Sequence, residues 1–139
     1  MIVLDTNIVS ELMKPAPADT VVRWVAAQPA VSLYTTSITQ AEILGGILLP
    51  PAGKRRAALE AAAEAMFAQD FDGRVLPFGS EAARAYAQIA AQRRRAGRPI
   101  SQFDAQIAAI ARSARGAVAT RNAHDFKDCG VDVMNPWDA

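Results

Sequence analysis

The sequence predicts an α/β domain, with a central, mostly parallel sheet of four to five strands flanked by helices on both faces. Three observations point there. Short apolar or β-branched runs alternate with longer helical patterns, the order that repeated strand–helix units impose. The first run, Met1–Leu4, is apolar at successive positions, as a strand buried on both faces is. A chain of 139 residues is long enough to bury a core without staples and makes one domain, residues 1–139, the expectation.

Each element has its own signal. Met1–Leu4 reads as a buried strand ending at Asp5, and Asp5-Thr6-Asn7 are helix-starting residues. The short helix through Met13 stops before Pro15 and Pro17. Asp19 to Gln28 reads as a second helix, with Val21, Val22, Trp24 and Val25 on its apolar side, and Val31 to Thr35 as the second strand. Ser37-Ile38-Thr39-Gln40 has capping-box spacing and opens a helix through Leu49, ended by Pro50-Pro51. Within it, Gly45-Gly46 suggests close helix packing. The alanine-rich stretch Ala52 to Gln69 reads as a long amphipathic helix and Arg74 to Phe78 as the third strand. Ser80 to Ala96 is helical and closed by Gly97. Ser101 caps a helix to about Ala114, Gly116 breaks it, and Ala117 to Thr120 is a strand. Val131 to Met134 supplies a last short strand before Pro136-Trp137.

Composition narrows the function classes. With 51% hydrophobic and 21% charged residues the chain is an ordinary globular sequence. The formal net charge of +1 leaves any nucleic-acid contact to a local basic patch. Cys129 is the single cysteine, so no internal disulfide forms, which fits a reducing compartment. Met1–Leu4 is too short for a signal peptide and no apolar run is long enough to span a membrane. The expected location is the cytoplasm, without membrane contact.

The functional signal lies in three solitary acids. Asp5 is the only charge among residues 1–10, Glu42 the only one between Ser37 and Leu49, and Asp104 the only one between Pro99 and Ala111. A buried carboxylate in an apolar element costs several kcal/mol unless compensated, and three of them suggest a shared cation. In an open parallel sheet, ligands bind outside the carboxyl ends of the strands. Asp5 and Asn122 fall at such ends, and Glu42 and Asp104 sit early in helices that reach the same crevice. The candidate ligands are all hard oxygens, which selects Mg²⁺, with Mn²⁺ as substitute, over zinc. A carboxylate-held Mg²⁺ in an open crevice suits phosphodiester hydrolysis. Each acid also has a plainer reading: Asp5 as a helix cap, Asp104 as the acid of a capping box with Ser101, Glu42 as the partner of a buried arginine.

Five stretches now carry a family resemblance: Ile2-Val3-Leu4-Asp5-Thr6-Asn7, Thr39-Gln40-Ala41-Glu42-Ile43, Asp104-Ala105-Gln106-Ile107-Ala108-Ala109, Ala119-Thr120-Arg121-Asn122 and Asn135-Pro136-Trp137. In this order, across nearly the whole chain, they resemble the PIN-domain family, and within it the VapC-type toxins of toxin–antitoxin pairs, the FitB-like and plasmid-stability subgroup most of all. The resemblance implies a Mg²⁺-dependent endoribonuclease and a cognate antitoxin that occludes the site. It also implies a homodimer, and operator DNA bound only through the antitoxin. It assigns metal binding to Asp5 and Asp104 and an acidic catalytic or metal role to Glu42. The fourth position, often Asp in the family, is Asn122 here. It keeps an oxygen donor but loses a charge, which weakens the case for two metals and leaves Asp125 to supply part of it.

Thr6, Asn7 and Thr120 flank the crevice as supporting residues, with capping and strand-end packing as the alternative reading. Arg93-Arg94-Arg95 with Arg98 is the densest basic cluster and a candidate contact for RNA phosphate or antitoxin. A solvated helix end is the alternative, and the same holds for Lys54, Arg55 and Arg56. His124 reads as a polar loop residue, Cys129 as packing, and Trp24 and Trp137 as core or dimer contacts. The competing functional class is a non-catalytic partner that binds operator DNA together with its antitoxin. A phosphatase of the haloacid-dehalogenase type is disfavoured because Asn7 stands where that chemistry needs a second Asp. RNA as the substrate is what the resemblance implies; the carboxylates alone leave a deoxyribonuclease equally open.

Overall fold

The computed structural model describes residues 1–139. Five strands form one sheet: β1 (Ile2–Leu4), β2 (Leu33–Thr36), β3 (Val75–Leu76), β4 (Ala117–Ala119) and β5 (Val133–Met134). Their order is β3-β2-β1-β4-β5, and every pairing is parallel. The chain moves outward from β1 to β3, then crosses back to β4 on the other side of β1. The sequence order therefore reverses between β1 and β4, where a doubly wound sheet opens its ligand crevice.

Six α-helices cover the sheet: α1 (Thr6–Leu12), α2 (Asp19–Ala27), α3 (Ser37–Leu48), α4 (Lys54–Ala65), α5 (Ser80–Arg95) and α6 (Gln102–Ser113). Successive strand residues point to opposite faces. Val3 and Val118 join Ile89 of α5 and Ile107 of α6 in one core. Leu4 and Ala119 join Ile8, Val21 and Ile43, from α1 to α3, in the other. The sheet is buried on both faces, as its apolar strands require.

Several expected boundaries move. The third helix is capped by Thr36, whose hydroxyl accepts the Thr39 N–H at 3.1 Å, so Ser37 is already helical and the box anticipated at Ser37 and Gln40 does not form. Thr36 is also the last residue of β2, and the strand end itself supplies the cap. Residues 30–32 form a 3₁₀ turn, so the second strand starts at Leu33. The third strand shrinks to Val75–Leu76. The long fourth helix begins at Lys54, after Gly53, and widens into a π-helical segment at Met66–Asp70. On α2, Val22 faces solvent while Val21 is buried. Gly45 and Gly46 are exposed, and a Cβ added at either meets nothing within 4 Å. They do not serve close packing in this chain; Gly46 instead helps to line an open groove.

Candidate active site

Asp5 follows β1 directly and caps α1. Its Oδ1 accepts the Thr6 N–H at 2.7 Å, and its own N–H donates to the Ala119 carbonyl at 2.9 Å, which extends the β1–β4 ladder past the last paired residues. Its Oδ2 accepts from the Thr120 hydroxyl at 2.8 Å. One oxygen of Asp5 caps the helix, and the same carboxyl lines a cavity at the switch point. Only 4% exposed, it is the most buried of the acids in this crevice.

Glu42 arrives from the second turn of α3. Thr6 Oγ1 donates to its Oε1 at 2.9 Å and also lies 3.0 Å from the Thr39 hydroxyl. The arginine partner considered for Glu42 is not there; a threonine relay holds it instead. Asp104 stands in the first turn of α6, where its N–H donates to Ser101 Oγ at 3.2 Å. The backbone half of the capping box forms, and the carboxyl lines the cavity with Asp5 and Glu42.

The cavity holds about 390 Å³ and is also lined by Thr6, Asn7, Asn122, Arg121 and Trp137. Asn7 ties its walls together: its Nδ2 donates to Thr120 Oγ1 at 3.3 Å and its Oδ1 accepts the Arg121 N–H at 3.2 Å. Thr120 Oγ1 accepts from the Asn122 N–H at 3.0 Å, so one hydroxyl orients Asp5 and fixes the turn that carries Asn122. Asn122 is exposed at the rim. Asp125 does not line the cavity but lies close enough for its charge to raise the pKa of Asp104.

Burial dominates the electrostatics. It pushes the Asp5 carboxyl up from 3.8 to about 6, against the lowering hydrogen bonds from Thr120 and Thr6, with help from Asp104 and Glu42. Burial likewise raises Glu42 and Asp104, and the charge of Asp104 adds to the shift at Glu42. Mutually repelling, partly desolvated carboxylates in one crevice form an environment that a cation relieves. The donor set is all oxygen, which fits Mg²⁺ or Mn²⁺. No three acidic, histidine or cysteine side chains converge tightly enough to enclose a metal by themselves. Mg²⁺ tolerates that arrangement, because it keeps several waters and takes only one or two carboxylates directly.

The remaining candidates separate. Arg94, Arg95 and Arg98 are exposed and stand away from the cavity, and Arg98 pairs with Asp128. Arg93 does not face solvent as a phosphate contact would. It is 6% exposed and donates to the carbonyls of Arg98, Asp125 and Lys127 at 2.8, 2.9 and 3.0 Å. A guanidinium spent on carbonyls is not free for RNA. His124 is exposed and outside the cavity, and Cys129 is buried beside Arg93. Trp24 packs against the α1–α3 core. Sequence reasoning missed Arg121 as a cavity residue, although it lies one position before Asn122 and one after Thr120.

Beside this cavity runs a larger apolar groove of about 710 Å³ between α1, α3 and α4, lined by Met13, Ile43, Ile47, Leu59 and the Pro50-Pro51 turn. Thr6, Ser10, Lys14 and Glu42 line both.

Comparison with known proteins agrees with this architecture. The PIN domain family model matches residues 2–131. The chain is 43% identical over 138 residues to the VapC ribonuclease Y4jK of Sinorhizobium fredii, with 99% of each chain covered. It is 38% identical over 137 residues to the toxin FitB of Neisseria gonorrhoeae, again with 99% of each covered. A solved structure of FitAB bound to an IR36 DNA fragment superposes with a TM-score of 0.91 at 38% identity, covering 99% of this chain and 96% of that one. The parallel sheet with its switch-point acids is thus a PIN domain, and the chain belongs to the PIN-domain family, in the group of the VapC and FitB toxins.

Proposed function

We propose that this chain is a Mg²⁺-dependent endoribonuclease, the toxin of a type II toxin–antitoxin pair. The observation that carries the reading is the meeting of Asp5, Glu42 and Asp104, from three separate elements, in one cavity at the β1/β4 switch point. The name of the VapC relative points the same way.

Asp5 and Asp104 would hold the cation, with Mn²⁺ as substitute. When bound, it supplies charge neutralisation at the scissile phosphate and a more acidic attacking water. Thr120 and the Thr6 N–H keep the Asp5 carboxyl in one orientation. Glu42, held by Thr6 and with its pKa raised by burial, would serve as proton acceptor, a task that an upward shift suits. Asn122 offers a neutral oxygen where a second acid would strengthen a second metal, so the catalytic set favours one tightly held ion.

The apolar groove beside the cavity is the seat we assign to the cognate antitoxin. A segment lying along Ile43, Ile47 and Leu59 would reach Glu42 and Thr6 and occlude the site. Operator DNA would then be bound through the antitoxin, a reading supported by the FitAB structure with DNA. A homodimer in the cytoplasm completes it; no helix is long and apolar enough to cross a membrane.

The test is cleavage of total cellular RNA by the purified chain in Mg²⁺, in EDTA, and in EDTA followed by excess Mg²⁺ or Mn²⁺. Cleavage that disappears with chelator and returns with metal supports the reading. Undiminished cleavage in EDTA removes the metal from it, and no cleavage under any condition favours the non-catalytic DNA-binding partner.

A further inference from the structure

One cation on the wall of the acidic cavity is in no ion pair, although its charge reaches Glu11 on the same wall. Of the two that line it, Lys14 is held by Glu11 at 3.0 Å, while Arg121 makes no ion pair and its guanidinium donates to no protein acceptor. It is nevertheless not loose. Its carbon Cζ lies over the Trp137 ring, 5.0 Å from the centre, within cation–π range. Its backbone is clamped on both sides, N–H to Asn7 Oδ1 at 3.2 Å and carbonyl from Asn135 Nδ2 at 3.3 Å. The platform is itself fixed: the Trp137 N–H donates to Asn135 Oδ1 at 3.0 Å, Pro136 is buried, and the indole packs against the α1–α3 core.

A guanidinium held over a ring by cation–π attraction spends none of its hydrogen-bond donors on that contact, and its planar fork matches two oxygens of a phosphate. The neighbouring residue, Thr120, binds Asp5 Oδ2, so the fork stands at a set distance from the carboxylates. A polyanion entering a cavity walled by Asp5, Glu42 and Asp104 needs a fixed positive contact outside the metal position. We propose that Arg121, held over the Trp137 ring, is a phosphate clamp that grips the RNA backbone beside the scissile bond. This rests on the nuclease reading for the identity of the polyanion.

The experiment measures binding of a fluorescein-labelled single-stranded RNA of mixed sequence by anisotropy across a salt series. Ca²⁺ replaces Mg²⁺ as an oxygen-seeking stand-in for the charge. Loss of one phosphate contact lowers the slope of log K against log salt by about 0.7 for a single strand. Arg121→Ala is expected to show that drop, with binding weaker by about tenfold and an unchanged melting temperature. Arg121→Lys keeps the slope but binds more weakly than wild type, since the planar fork is lost. Trp137→Phe retains binding. Arg121→Ala with wild-type affinity and slope overturns the clamp, as does a wild type that shows no affinity for the RNA. Metal-dependent cleavage by the wild type, assayed in parallel, separates these outcomes: cleavage that persists while the clamp fails leaves the nuclease reading intact.

Discussion

The two walls of the cavity are built differently. On one side, Asp5 sits at a strand end, Glu42 in the second turn of α3 and Asp104 in the first turn of α6, with the Asp5 carboxyl held by the Thr6 N–H and the Thr120 hydroxyl and Glu42 by the Thr6 hydroxyl. On the other side, Arg121 and Asn122 are exposed, the turn that follows is anchored by the buried Phe126 and Cys129, and hydrogen bonds with Asn7, Thr120 and the buried Arg93 order the segment. The division is one of scaffold: regular elements carry the three carboxylates, while the rim is carried by an irregular segment held through hydrogen bonds to its backbone.

If that division is right, the largest effect belongs to the rigid wall. Asp104→Asn or Asp5→Asn should reduce RNA cleavage to background, and Glu42→Gln should slow it by about 10²–10⁴, with circular dichroism unchanged. Full activity in either Asn variant would strike that residue from the chemistry. On the loop wall, Arg93→Ala withdraws the donors of three carbonyls. It should cost about 2–4 kcal/mol in urea unfolding and blunt cleavage through the loop, whereas a loss under about 0.5 kcal/mol would show the clamp to be incidental.

A pH experiment sharpens the contrast. The unfolded Asp5 carboxyl titrates near 3.8 and the folded one near 6. Between those values the folded state retains a proton that the unfolded state has released, so the metal-free protein loses stability as pH rises from about 4 to about 6. The loss is on the order of 3 kcal/mol, and saturating Mg²⁺ should reduce or abolish it. A flat metal-free profile would mean that Asp5 is not buried as described. The smallest effect is expected at the rim: Asn122→Asp adds a charge at an exposed position and should tighten Mn²⁺ by only a few-fold, read by calorimetry.

Much of this was legible in the sequence, for physical reasons that differ by residue. Asp5, Glu42 and Asp104 stood out because each is the lone charge of an apolar element, and burial is what makes such a charge informative. The strand–helix alternation was legible because a sheet covered on both faces needs apolar runs. Arg93 was obscured by its neighbours: within Arg93-Arg94-Arg95 it resembles a solvated helix end. The helical period still gave a clue, since Ala82, Ala85, Ile89 and Arg93 form the buried stripe of α5. Its carbonyl partners in 125–127, and the cation–π contact of Arg121 with Trp137, join segments far apart in the chain and leave no trace in local pattern. Gly45-Gly46 misled because two glycines in a helix suggest a close neighbour, and here they border an open groove.

The most direct test of the central claim is Mg²⁺ calorimetry on the wild type beside the Asp5→Asn/Asp104→Asn double variant at pH 7.5. The carboxylates are expected to bind about one ion per chain, with binding lost in the double variant. Equal Mg²⁺ binding by both proteins would contradict the claim that these carboxylates form the metal site.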